Sequence, residues 1–223
     1  MKNLLCLLAF MMAGPVFAQT TSKDSTPVLP DQNLSLALYG GLNVSNMPFL
    51  IAPITVEGIA LETQQEYAYF AGFSVRKPFG RHYAGLLESQ FTVKGFSFKN
   101  APLGSRYRFH YLDIVPQFEY KAYKNLYVSL GAYWGIRLEE RIKTGDDPWV
   151  TTDPDFFEYA DDHDFGAVGG LSWRFNRFYA LLRYQHGLGP VNDLLVLVDE
   201  NGQIIQSKQR NRSLQVGIGF RIL

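Results

Sequence analysis

The chain has 223 residues and carries 21 acidic and 21 basic side chains, so its formal charge is zero. This length accommodates one domain of ordinary size and not two large ones. The basic residues are scattered, which argues against a nucleic-acid-binding protein, because such proteins concentrate basic side chains on one surface. The only cysteine is Cys6, near the N-terminus, so no disulfide or thiol chemistry is expected in the rest of the chain.

The N-terminal segment has the three parts of a secretory signal peptide, which are a basic start at Lys2, an apolar run over residues 4–12, and a small-residue end. Cleavage is predicted after Ala18, which makes residues 1–18 the signal peptide. An uncleaved anchor is the alternative, but the apolar run is too short to span a bilayer. Residues 19–32 are polar with two prolines and are predicted to form a flexible periplasmic lead-in.

The last eleven residues, 213–223, alternate almost without error between apolar and polar or small side chains. Leu214, Val216 and Ile218 fall on one face, whereas Ser213 and Gln215 fall on the other. The length is close to that of one tilted membrane-crossing β-strand, about 9–11 residues. Because lipid offers no hydrogen bonds, a strand that ends a membrane protein must pair at both edges, which closes a barrel against the first strand.

Seven further segments show the same alternation and are predicted as strands: 33–45, 66–77, 83–99, 107–120, 126–139, 163–175 and 178–189. Long connections follow the first, fifth and seventh strands, a medium loop follows the third, and short turns follow the others. In outer-membrane barrels the short turns face the periplasm and the long loops face outside. The sequence therefore predicts an all-β fold, an eight-stranded antiparallel up-and-down transmembrane β-barrel over residues 33–223.

Three irregular positions interrupt the alternation. The phase of the third predicted strand changes near Gly95, where a bulge is expected, and that of the fourth slips near Tyr111. Pro116 lies in the fourth strand and cannot donate a ladder hydrogen bond. We therefore expect Pro116 at a bulge or near a strand end.

Several motifs resemble a known family. They are Gln215-Val-Gly-Ile-Gly-Phe220, Tyr111-Leu-Asp-Ile-Val-Pro116 followed by Leu130-Gly-Ala-Tyr-Trp134, Phe91-Thr-Val-Lys-Gly95 and Tyr184-Gln-His-Gly-Leu188. Together they resemble the eight-stranded outer membrane protein β-barrels that include the PorT-like proteins. This resemblance implies export to the outer membrane of a Gram-negative cell. It also implies a structural or binding role, with an accessory role in protein secretion as one form of it.

Charged and polar side chains of both signs fall on the predicted inner face. They are Glu66, Arg76, Glu88, Gln90, Lys94, Asp113, Gln117, Glu119, Arg137, Arg174, Arg183, Gln215 and Arg221. An eight-stranded barrel is only wide enough to be filled by side chains, so these groups are predicted to form a closed polar core. A conducting channel is the alternative. Val216→Arg is predicted to destabilise a barrel by about 2–4 kcal/mol if it faces mid-bilayer, and Gln215→Arg by far less.

One cluster of metal-ligating residue types lies at the end of the acidic loop 143–162. Asp161, Asp162, His163 and Asp164 could hold Ca²⁺, although loops of this composition are usually only solvated. No set of side chains forms a catalytic constellation, so the chain is predicted not to be an enzyme and to need no cofactor. A lipid-modifying outer-membrane enzyme and a soluble lipocalin-like binding barrel remain alternatives.

Two connections are unusually apolar for loops outside a barrel. Residues 46–65 contain Phe49, Ile51 and Ile54, and residues 194–207 begin with Leu194 and Leu195. We hypothesise that these side chains bind a partner protein or lipid. Packing of the loops on each other is the alternative. Contact with outer-membrane lipid is also expected, nucleic acid is not, and the oligomeric state is left open.

Overall fold

The computed structural model describes residues 33–49, 54–56, 59–98, 105–151, 163–198 and 204–223. The predicted signal peptide 1–18 and lead-in 19–32 lie outside them. The strands in this part of the chain are β1 (Ser35–Asn46), β2 (Ile54–Val56), β3 (Ile59–Leu61), β4 (Thr63–Pro78), β5 (Tyr83–Phe98), β6 (Arg106–Tyr123), β7 (Leu126–Lys143), β8 (Val150–Thr151), β9 (His163–Phe175), β10 (Phe178–Gly187), β11 (Asn192–Val198), β12 (Ile204–Gln209) and β13 (Arg212–Arg221). None of the described residues belongs to a helix long and apolar enough to cross a membrane.

Eight long strands form one closed antiparallel sheet. Their order is β6-β5-β4-β1-β13-β10-β9-β7, and β7 pairs back with β6. At the seam between the two ends of the chain, Leu42 of β1 pairs with Val216 of β13 on one side and with Tyr69 of β4 on the other. Every strand therefore pairs with the long strands before and after it in sequence. The predicted eight-stranded up-and-down barrel is confirmed.

The alternation in the sequence becomes an alternation between lumen and exterior. On β13, Val216 and Ile218 are exposed on the outer wall, whereas Ser213 and Gln215 are buried inside. Exposed aromatic side chains gather at both ends of the apolar belt. Those nearer the long loops are Tyr67, Tyr69, Phe165 and Tyr184, and those nearer the short turns are Phe79, Tyr83, Phe118, Tyr120, Tyr123, Trp173, Phe175, Phe178 and Phe220. Such girdles mark the two membrane interfaces of a transmembrane barrel.

Short turns join the strands at the periplasmic end of the barrel. Lys124 and Asn176 have positive φ angles of 29° and 53°, in the left-handed region that two-residue hairpin turns require. Backbone hydrogen bonds tie neighbouring turns together, as in Lys121 N to His82 O at 2.7 Å and Arg221 N to Arg177 O at 2.7 Å. This end of the barrel is therefore a rigid rim.

Both predicted phase changes coincide with shifts in strand register. Between the pairs Gln65–Phe96 and Phe70–Thr92, β4 has four residues where β5 has three, so the extra residue is on β4 and not at Gly95. Beside Tyr111 the extra residue is Leu138 of β7. Both shifts lie towards the long loops, and β6 and β7 shift register once more beside their periplasmic turn, between Lys121 and Tyr123.

Pro116 does not lie where it was expected. It is inside β6, and the pairs Ile114–Trp134 and Gln117–Gly131 on either side of it keep one register, so the prediction of a bulge or strand end is wrong. The ladder between β6 and β7 has no pairing at Val115 and Pro116. A local gap in one ladder therefore accommodates the missing N–H, while Pro116 still pairs with Leu87 of β5.

Candidate functional site in the barrel lumen

A buried lysine occupies the half of the lumen nearer the long loops. Lys94 Nζ lies 3.2 Å from Asp113 Oδ2 and 2.9 Å from Asp164 Oδ2, and all three side chains are 0% exposed. The ring centroids of Tyr133 and Tyr111 lie 4.3 and 4.9 Å from the ammonium. The lysine is therefore held by two carboxylates and two aromatic faces, without access to water.

Neutral donors satisfy the remaining carboxylate oxygens of this cluster. The Tyr133 hydroxyl donates to Asp164 Oδ1 at 3.0 Å, and Asn211 Nδ2 donates to Asp164 Oδ2 at 2.7 Å. Gln90 Nε2 donates to Asp113 Oδ2 at 3.2 Å. One cation faces two anions here, and these amide and phenol donors stabilise the excess negative charge.

A set of packed apolar side chains, mostly aromatic and here called the aromatic cap, closes the lumen above Lys94. It consists of Met47, Phe96, Phe98, Phe109, Tyr111 and Val191, with Phe49 and Tyr107 packed against them. Phe96 stacks on Tyr107 with ring centroids 4.9 Å apart, and Phe49 stacks on Phe98 at 6.2 Å. The loop end of the lumen is therefore closed by apolar side chains.

A second ion pair fills the middle of the barrel. Arg183 Nη2 lies 2.7 Å from Glu88 Oε2, and the two side chains are 5% and 3% exposed. Arg183 also donates to Gln90 Oε1 at 3.2 Å, which links this pair to the Lys94 cluster. Gln117 donates to Glu88 Oε2 at 2.9 Å. These charges are consequently part of one continuous hydrogen-bonded network.

The periplasmic end of the lumen is different, because two arginines share one carboxylate. Arg76 Nε contacts Glu119 Oε1 at 2.7 Å, and Arg174 Nη2 contacts Glu119 Oε2. The Tyr127 ring lies beside both guanidinium groups, 4.1 Å from Arg174 Cζ and 5.5 Å from Arg76 Cζ. Both arginines line a cavity of about 60 Å³, room for several waters at about 10–15 Å³ each.

A further set of charges lies on the rim nearest the long loops. Arg108 Nη2 lies 2.7 Å from Glu66 Oε1, and its guanidinium covers the Trp149 ring at 4.3 Å. Glu139 accepts from Thr151 at 2.8 Å and pairs with Arg141 at 3.0 Å. These contacts hold β8 and the strand ends together above the membrane belt.

The predicted inner face is largely confirmed. Glu66, Glu88, Gln90, Lys94, Asp113, Gln117, Glu119, Arg183 and Gln215 are buried, and Arg76, Arg137 and Arg174 are half-buried. Arg221 is the correction, because it is exposed at the periplasmic rim and donates to Asn176 O at 3.3 Å. The strand β13 ends at Arg221, so a side chain with inward orientation at this position lies beyond the lumen.

The four proposed metal ligands do not come together in the described residues. His163 and Asp164 are neighbours on β9 and point to opposite faces, since the His163 ring stacks on Trp134 at 5.4 Å and Asp164 is bound by Lys94. Asp161 and Asp162 lie outside the described residues. No group of metal-ligating side chains is found in the part of the chain that the structure describes. A Ca²⁺ site in the acidic loop stays a prediction.

His110 and His186 lie on strands of the barrel wall, His163 begins β9, and His82 lies in a periplasmic turn. His110 Nδ1 lies 3.2 Å from Glu139 Oε2, and the imidazole meets the Phe91 ring edge-on at 5.5 Å. Nucleophilic catalysis needs a hydroxyl or thiol beside such a base. Within the described ranges, no hydroxyl donates a hydrogen bond to His110.

The five predicted partner-binding residues are described to different extents. Phe49 is half-buried, stacks on the aromatic cap and forms a backbone bridge to Gln209, so its side chain packs on the barrel itself. Ile54 lies in β2, and Leu194 and Leu195 lie in β11, each strand within its own two-stranded sheet. Ile51 lies outside the described residues. For Phe49 the structure favours self-packing, and for the other four residues partner binding stays a prediction.

Asp164 and Gly135 line the lumen but are absent from the predicted set of polar inner side chains. Asp164 follows the acidic loop 143–162, and it is an even number of residues from Arg174 on β9, so both side chains point inward. Gly135 of β7 lies beside Asp113, and a Cβ there would lie only 2.3 Å from Asp113 Oδ1. The glycine therefore leaves the space that the carboxylate occupies.

The comparisons with known proteins agree with this architecture. Residues 17–193 match the family model described as outer membrane protein beta-barrel domain. The chain belongs to this family. Its place is therefore the outer membrane, and its apolar belt faces lipid. A search of curated proteins gives no match.

Solved structures of outer-membrane proteins are similar to the chain at low sequence identity. The attachment invasion locus protein Ail of Yersinia pestis is 12% identical, with 84% of this chain and 98% of Ail covered and a TM-score of 0.42. Neisserial surface protein A is 10% identical, covering 84% and 98%, with a TM-score of 0.48. OprG of Pseudomonas aeruginosa is 10% identical, covering 84% and 95%, with a TM-score of 0.43. The family membership rests on the family model alone.

Proposed function

We propose that the protein is a non-conducting, non-catalytic barrel that acts as a binding protein of the outer membrane. The observation that supports this proposal most strongly is the filled lumen. From the middle of the lumen towards the loops, it is occupied first by the Arg183–Glu88 pair, then by the Lys94 cluster and then by the aromatic cap. A solute would have to break buried ion pairs in order to pass, and each such break is costly.

Conductance across a planar bilayer tests the closed lumen. The purified protein is expected to give no ion current, whereas an open porin reconstituted in the same way conducts. A variant with Phe96→Ala and Phe98→Ala removes part of the plug without leaving a buried charge unpaired and is the matched control for correct insertion. Steady single-channel conductance of the unaltered protein would contradict the proposal.

The binding role is assigned to the hairpins on the side of the long loops. The β2–β3 and β11–β12 hairpins form sheets separate from the barrel, and both carry apolar residues. An apolar side chain in water gains free energy only by packing on something else. The proposed partner is a protein or an outer-membrane lipid that contacts Ile54 and Leu195.

Photo-cross-linking in intact cells tests the binding role. Photo-reactive residues at positions 54 and 195 are expected to capture a second molecule, whereas the same group at Arg81, in a periplasmic turn, is the control for non-specific capture. Cross-links that join only parts of the barrel itself would show that the hairpins pack on each other.

An accessory role in protein secretion is the more specific form of this proposal, and the similarity to PorT-like motifs supports it. The test is to delete the gene and to follow the amount of protein released into the medium. Loss of secreted proteins, restored by the intact gene but not by a version without residues 194–207, would support the role. Unchanged secretion would contradict the accessory role in secretion but not the binding role.

A further inference from the structure

The cavity at the periplasmic mouth carries more positive charge than the protein itself neutralises. Five arginines line it, Arg76, Arg174, Arg177, Arg183 and Arg221, together with two glutamates, Glu88 and Glu119. Three positive charges are therefore left over around one small cavity. Elsewhere in the lumen the balance is reversed, because Lys94 faces two aspartates.

The two central arginines keep hydrogen-bond donors for a further acceptor. Each guanidinium has five N–H donors, and the recorded side-chain bond to Glu119 uses one nitrogen of Arg76 and one of Arg174. Glu119 is only 2% exposed, whereas Arg76 and Arg174 are 20% and 23% exposed. The carboxylate therefore holds the two arginines together, and both guanidinium groups stay partly exposed at the cavity.

Tyr127 makes the arrangement rigid. The guanidinium groups of Arg76 and Arg174 both lie over its ring, and stacking on an aromatic face orients an arginine without using its N–H donors. Two like charges held this close repel each other unless an anion lies nearby. Glu119 supplies one negative charge, and a second anion would complete the balance.

We infer that the periplasmic mouth is a binding site for a phosphate group, held by Arg76 and Arg174 and attracted by Arg177 and Arg221 at the rim. Guanidinium groups bind phosphate through paired N–H bonds. A surplus of three charges matches a phosphate dianion better than a carboxylate. The hydroxyls of Ser35 and Ser172, which also line the cavity, add donors for an anion with more than two oxygens.

The geometry limits the ligand to a group that enters from the periplasm. The cavity holds about 60 Å³, enough for one phosphate group but not for a folded partner. Its inner end is blocked by the Arg183–Glu88 pair, which is almost fully buried. The group could belong to a small phosphorylated solute or to a phospholipid of the inner leaflet, and both present the same chemistry. This site is separate from the loop surface proposed above.

Isothermal titration calorimetry with inorganic phosphate and with short-chain phosphatidic acid tests the inference. The full protein is purified in zwitterionic detergent and dialysed free of phosphate. Heat with inorganic phosphate indicates a site for a free anion, and heat with phosphatidic acid alone indicates a lipid headgroup site. Either result supports the inference, provided that Arg174→Gln weakens binding about ten-fold or more, the loss expected for a charged hydrogen bond.

Two further variants keep the test decisive if Arg174→Gln does not fold. The double variant Arg177→Gln/Arg221→Gln alters only the exposed rim and is expected to weaken binding by a smaller factor. Arg106→Gln, an exposed arginine at the opposite end of the barrel, is the control and should bind as the unaltered protein does. No heat with either ligand, equal binding by all variants, or acetate binding as tight as phosphate would overturn the inference.

Discussion

The two ends of the lumen solve the problem of enclosed charge in different ways. Towards the loops, Lys94 is sealed beneath aromatic side chains and is matched by two carboxylates and several neutral donors. Towards the periplasm, Arg76 and Arg174 share the single carboxylate of Glu119 and face a cavity. One end is dry and has excess negative charge, whereas the other is wet and has excess positive charge.

The difference follows from whether the charged side chains at each end have access to water. A sealed charge has to find its partners within the protein, because desolvation of an unpaired ion costs several kcal/mol. An arginine beside water can leave donors unpaired at little cost, since solvent binds them. The loop end is thus expected to contribute rigidity, and the periplasmic end is the place where a ligand can bind.

The largest effect is expected from Lys94→Met. This change leaves Asp113 and Asp164 buried without their cation and should lower the free energy of unfolding by about 3–5 kcal/mol. Urea unfolding of the barrel in phosphatidylcholine vesicles, followed by tryptophan fluorescence, measures the loss.

The control for Lys94→Met also removes the two carboxylate charges that this substitution leaves unpaired. Lys94→Met combined with Asp113→Asn and Asp164→Asn is expected to recover most of the lost stability, because neutral amides need no cation. If the single variant were as stable as the unaltered protein, the Lys94 cluster would not be a sealed ion network.

On the lipid-facing side of the barrel, in contrast with the lumen, the stability cost of an added arginine should depend only on its depth in the membrane. Val216 is exposed in the middle of β13, so Val216→Arg is expected to cost about 2–4 kcal/mol. Ile222→Arg, just beyond the strand at the periplasmic interface, is the depth control and should cost about 0–1 kcal/mol. The same unfolding measurement compares the two variants. Equal losses of unfolding free energy would mean that Val216 does not lie deeper in the membrane than Ile222.

The alternation of side chains was enough to predict the fold and the lumen face. Leu214 and Gln215 illustrate this, because successive side chains of a strand point to opposite faces of the sheet and these two differ in polarity. The alternation of side chains does not predict the position at which the lumen ends. Arg221 has inward parity yet is exposed, since β13 ends there.

Contacts across the lumen could not be predicted. Lys94 of β5 meets Asp164 of β9 because the tilt and stagger of the whole barrel bring these heights together, and no local pattern encodes that. The sequence also suggested that Gln215→Arg would be mild. The structure corrects this, because Gln215 is fully buried with its Oε1 only 3.5 Å from Arg183 Nη1, so a second cation there would face the first.

At the periplasmic end, removal of the shared carboxylate should cost less than removal of Lys94. Glu119→Gln leaves two arginines without an anion but beside water, and a loss of about 1–3 kcal/mol is expected. Unfolding in buffers with and without phosphate distinguishes the two ends. Phosphate should restore part of the stability of Glu119→Gln and none of that of Lys94→Met, because only the periplasmic cavity admits an anion.

The smallest effect is expected on the rim outside the lumen, at Glu139→Gln. Glu139 pairs with Arg141 and accepts from Thr151, but its side chain is 27% exposed and the contacts compete with water. Exposed ion pairs contribute about 0–1 kcal/mol, and salt screens them. Thr151→Ala removes the hydroxyl without a charge and is the matched control. The same urea unfolding measures both variants. If Glu139→Gln lowered the free energy of unfolding as much as Glu119→Gln does, burial would not determine how much each ion pair contributes to stability. The difference between the two ends of the lumen would then need another cause.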